Sequence, residues 1–67
     1  MIPPRYEGTG PSIQDALDAA HIQIPVQPHN DFTVSRVDDW GMQYGGFNPT
    51  ALYWVIVEED RNAPLRP

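Results

Sequence analysis

The sequence predicts a small α+β domain of βαββ order: an antiparallel sheet with one helix packed on one face. Three observations carry this. Thr50 to Glu59, TALYWVIVEE, is the only stretch where large apolar residues run without interruption, and it is rich in β-branched and aromatic residues. Ile13, Ala16, Leu17 and Ala20 fall at i, i+3, i+4 and i+7, a single helical stripe. A second β-rich run, DFTVSRVD at 31–38, precedes a glycine-rich connection into the 50–59 run.

The chain opens with Met1-Ile2-Pro3-Pro4-Arg5-Tyr6-Glu7, where two prolines lacking donors permit only an edge strand or an extended arm. Gly8-Thr9-Gly10-Pro11 reads as a turn. Ser12 then stands at a helix N-cap, with Asp15 three residues on in a capping-box-like pair. Gln14, Asp15 and Asp18 face away from the stripe, and Asp15 suits the positive end of the helix dipole. The stripe is narrow and half alanine, so the helix approaches a sheet closely but covers little of it. His21-Ile22-Gln23-Ile24 either completes the helix or starts an extended connection, which Pro25 and Pro28 fix as non-helical.

In the 31–38 strand Phe32 and Val34 share a face and Val37 lies on the other, so a bulge near Ser35 and Arg36 is expected to turn all three inward. Asp39 to Pro49, with Gly41, Gly45 and Gly46, reads as the connection of a long antiparallel hairpin. In the closing strand Ala51, Tyr53, Val55 and Val57 form one face and Leu52, Trp54 and Ile56 the other, and both want cover. One domain therefore spans 1–60, and 61–67, with two prolines and two arginines, is read as a C-terminal tail that can dock on a neighbour.

Sixty-seven residues leave room for one core. No cysteine is present, so disulfides and thiolate metal sites are excluded and oligomerisation is the expected source of extra stability. Nine acidic residues against four arginines, with no lysine, give a net charge of -5, which disfavours nucleic acid and anionic lipid. The longest apolar run is far short of the ~20 residues that cross a bilayer. The opening residues carry no charged-then-apolar leader, and a cytoplasmic location is expected.

Burying Leu52, Val55 or Ile56 contributes about 1.5 to 3 kcal/mol each, so an uncovered second face would forfeit an amount comparable with a small domain's whole stability. One helix covers one face, so the other is expected to meet another copy or another protein. The expected interface or ligand-stacking residues are Trp40, Tyr44, Phe47, Leu52, Trp54 and Ile56, aromatics being enriched in interface cores. Trp40 and Tyr44 also offer faces on which a flat ligand stacks.

Catalytic and metal chemistry find little support. His21, His29 and Asp31 lack a ligand spacing, and Glu58-Glu59-Asp60 lacks a calcium loop. Ser12 is explained by capping, and Gly41, Gly45 and Gly46 lack the strand-to-helix setting and the lysine of a phosphate loop. No catalytic residue and no metal is assigned.

The order of elements, Gly8-Thr9-Gly10 before Ser12, the Gly41 to Gly46 hairpin and the closing Tyr53 to Val57 strand together resemble dodecins, small flavin-binding proteins of similar length. The resemblance implies a helix on one sheet face, many copies closing into a hollow shell, and flavin storage. The positions matching that family's flavin-stacking tryptophan and flavin-contacting glutamine fall near Val34 and Leu52, so no binding residue carries over and the cofactor stays open. Asp15-Ala16-Leu17 and Tyr53-Trp54-Val55 also resemble transcobalamin-like β-grasp domains, whose opening hairpin is missing here. The expected function is a non-enzymatic, self-associating binding or scaffold protein, a homo-oligomer holding a flat aromatic ligand. The alternative is a heterologous interaction module, such as an inhibitor, immunity or accessory protein, using its open sheet face.

Overall fold

A computed structural model describes residues 3–28, 31–47 and 50–66. Its elements run β1 (Arg5–Gly10), α1 (Ile13–His21), β2 (Ser35–Gly45) and β3 (Thr50–Glu59), and the sheet is antiparallel with order β1-β3-β2. This is the small α+β architecture of βαββ order that the sequence predicts. The longest apolar run supplies the central strand, which therefore shares its ladder with both edges.

Ser12 caps α1 as its position suggests: its Oγ accepts from the Asp15 amide at 3.1 Å and donates to Asp15 Oδ2 at 3.0 Å. The stripe faces the sheet, with Ala16 and Ala20 fully buried and Ile13 and Leu17 partly so. The helix ends one turn after Leu17, and Gln23 fastens its exit by donating from Nε2 to the Glu7 carbonyl at 2.6 Å and the Ala19 carbonyl at 3.1 Å. Ala16, Ala20, Ile24, Val55 and Val57 make the core, flanked by Tyr6, Ile13, Leu17 and Tyr53.

The sequence reading departs from the structure at three places. Gly8-Thr9-Gly10 belongs to β1 rather than to a turn. The reason is contact: a Cβ on Gly8 would collide with the backbone of Ala16 and Ala20 and stand 2.8 Å from the Ala19 carbonyl carbon, so glycine here seats α1 on the strand. The second strand runs over Ser35–Gly45, not 31–38, and Trp40 and Tyr44 lie on it rather than in a loop. Gly41 is a strand residue because Trp54 of β3 lies across it; an added Cβ would stand 2.7 Å from Trp54 Cε2. The turn begins only at Gly45 and Gly46, whose φ values of 106° and 86° suit glycine alone.

The bulge is also displaced. The register shifts between Val37 and Asp39 instead of at Ser35 and Arg36, leaving Asp38 as the additional residue. It brings Val37 and Trp40, three apart, onto one face, while Phe32 remains 40% exposed and Val34 half-buried. Beyond the ladder, the Asp60 amide donates to the Val34 carbonyl at 2.8 Å, and His21 Nδ1 bonds Ser35 Oγ at 2.7 Å, tying the helix end to the start of β2.

Candidate functional site

The cross-strand rows assign every exposed aromatic of the sheet to a face. Val57 stands between Tyr6 and Val37, Val55 between Gly8 and Trp40, and Tyr53 between Gly10 and Met42; Tyr44 is opposite Ala51. These rows form the helix side, because Gly8 and Gly10 touch α1. Alternate rows, with Leu52 opposite Gln43, Trp54 between Thr9 and Gly41, and Ile56 between Glu7 and Asp39, form the other side.

On that second face none of the described elements provides cover. Leu52 is 39% exposed, and Trp54 and Ile56 are half-buried only by their neighbours on the sheet. One end of the face is charged: Arg5 Nε pairs with Asp38 Oδ2 at 3.2 Å, reaching across β3, and Arg36 pairs with Glu58 Oε1 at 3.2 Å. The arginines are solvated, so these pairs orient side chains more than they stabilise the fold. The surface is thus an apolar strip with a paired-charge border.

The helix side has a second uncovered area, over β2. Because α1 lies on β1 and β3, Trp40, Met42 and Tyr44 remain 63%, 56% and 70% exposed. Between them and the helix is a groove of about 360 Å³ walled by Ile13, Leu17, Val37, Trp40 and Val55, nearly all apolar. A larger cleft of about 670 Å³, whose lining includes Pro3, Pro4, Tyr6, Pro25, Glu59 and Arg61, lies by the C-terminal segment.

The six residues expected at an interface therefore divide among three places. Leu52, Trp54 and Ile56 share the open face; Trp40 and Tyr44 share the helix side of β2; Phe47 stands fully exposed on the turn. Sequence reasoning missed Met42, which completes the Trp40–Tyr44 row, because residues 39–49 were read as a connection; the alternation Trp40, Met42, Tyr44 was the available signal. Among the described residues no three His, Asp or Glu side chains converge on a metal position, and His29 lies outside those residues. Ser12 is engaged with Asp15 and His21 with Ser35, and Ser12 and His21 stand at opposite ends of α1. Among the described residues no helix is long and apolar enough to cross a membrane.

Comparison with known proteins adds no relative: no family model, no curated protein and no solved structure matches the chain.

Proposed function

We propose that this chain is a non-enzymatic, self-associating binding or scaffold protein whose sheet is completed by further copies. The observation that carries the reading is the uncovered row Leu52, Trp54, Ile56 on a strand whose other face is already core. Surface area supports it. A compact monomer of this mass has about 4,300 Å² of accessible surface, whereas this chain exposes 5399 Å². The excess, about 1,100 Å², is above the ~800 Å² that each partner gives to a standard interface. Part of the excess belongs to the exposed segments, 61–66 among them, and part to the exposed apolar side chains of the sheet.

The ligand component of the proposal is placed at the groove beside Trp40, where an indole face and aliphatic walls suit a flat aromatic molecule. A dodecin-like shell with a flavin is one form of this reading. The native mass spectrum tests both components: it is expected to give a multiple of 7.6 kDa, with additional mass if a ligand is retained. A bare 7.6 kDa species overturns the self-association.

A second reading is favoured by charge. Each copy carries -5, so self-association accumulates like charge, whereas a basic partner neutralises it. A chain that stays monomeric alone and binds one basic protein through Leu52, Trp54 and Ile56 would establish the heterologous module instead.

A further inference from the structure

The two edges of the sheet are unlike. β1 is short, follows Pro3-Pro4, carries Arg5 and Glu7, and has its Glu7 carbonyl occupied by Gln23. These are the usual protections against strand addition. β2 is nearly twice as long and is protected only in its first half, by Arg36, Asp38, Asp39 and the bulge. From Trp40 to Gly45, WGMQYG, it has no charge, no proline and no bulge.

The direction of its free backbone groups follows from one bond. The Trp40 amide donates to its neighbour Asp39 Oδ1 at 2.9 Å, so it is turned to the outer side of the strand and is itself occupied. Alternation then directs the N–H and C=O groups of Met42 and Tyr44 outward as well. Among the described residues no side chain bonds the backbone of either.

From this edge we infer that a second copy of the chain adds to β2 in antiparallel register about a two-fold axis at Met42. This rests on the self-association proposed above and names its contact. In that register the Met42 residues of the two copies exchange both N–H···O bonds, and Trp40 of each stands opposite Tyr44 of the other. All three exposed side chains of the row find apolar partners, aromatic on aromatic and thioether beside rings. A shift of the axis to Gln43 places Trp40 opposite the turn residue Gly46, and a shift to Gly41 sets Asp38 opposite Tyr44. Only the Met42 axis matches the whole row, and it puts Asp39 opposite Gly45, with no carboxylate facing another. The product is a continuous six-stranded sheet, three strands from each copy, with both helices on one side and the apolar grooves of the two copies adjoining between them. The rows of Leu52, Trp54 and Ile56 meet on its opposite side as one broad surface.

Because the chain has no cysteine, single introduced thiols report the register cleanly. Residues paired in this way have Cα atoms about 5.5 Å apart, within disulfide reach. Met42→Cys is expected to oxidise to a covalent dimer, and Trp40→Cys mixed with Tyr44→Cys to give the mixed dimer in preference to either homodimer. Gln43→Cys is expected to remain reduced. Met42→Glu, which sets two carboxylates on the axis, is expected to lower the assembly mass two-fold without unfolding the monomer. Ile56→Glu, on the opposite face, is expected to leave the Met42→Cys disulfide intact. An assembled wild-type chain in which Met42→Cys stays reduced, or in which Gln43→Cys cross-links faster, overturns the edge contact while self-association stands. A monomeric wild-type chain overturns both.

Discussion

Gly8 shows how one missing methyl group determines the spacing of the two layers. Its Cα lies under the backbone of α1, between Ala16 and Ala20, and both alanines are fully buried. Small residues on helix and strand together permit this approach, and a side chain on either must separate the layers. Gly8→Ala is therefore expected to destabilise the fold by about 3 kcal/mol, the upper end of overpacking effects, because the obstructing atoms are backbone and cannot rotate away. The lowered midpoint of urea unfolding is the measurement, and an unchanged midpoint would show that α1 is not seated on β1 this way. Gly41 differs, since what lies over it is the ring of Trp54, a side chain that can move.

Among the elements, β2 gains its character from a single additional residue. With Asp38 between Val37 and Asp39, the strand presents Val37, Trp40, Met42 and Tyr44 to the helix side and both aspartates toward the charged border. Deleting Asp38 is expected to remove the bulge and the Arg5 pair while Val37, Trp40, Met42 and Tyr44 keep their face, since the pairs Val37–Val57, Asp39–Ile56 and Trp40–Val55 then follow plain two-residue alternation. Wild-type tryptophan emission is the expected result; a shifted emission would mean that Trp40 had changed face and that Asp38 is not the additional residue. The same element shows where the sequence was legible. Periodicity located α1 and the two faces of β3, since those depend on neighbours along the chain. It failed at Gly8, Gly10 and Gly41, where glycine signals a close approach from another element and not a turn. The bulge was foreseen from a mismatch in apolar spacing, but its position depended on the pairing of Val37 and Trp40 with β3, which local spacing does not contain. Of the candidate site, the Leu52, Trp54, Ile56 row was legible from alternation alone, whereas the Trp40, Met42, Tyr44 row required knowing that 40–45 is strand.

At the scale of the whole molecule, the chain is two layers and thin, 17 Å along its shortest axis, and its radius of gyration of 13.8 Å compares with about 11 Å for a compact chain of this length. A helix of 9 residues lies on the β1 and β3 part of a three-stranded sheet. Among the described residues the core contains five buried side chains, two of them alanine, which is small for a domain that must offset the conformational entropy of its residues. Assembly is the proposed remedy, through the open face and the β2 edge. Sedimentation equilibrium of the wild-type chain at micromolar concentration tests this most directly. The account predicts a mass of at least twice 7.6 kDa that falls on dilution; a species of 7.6 kDa at every concentration would contradict it.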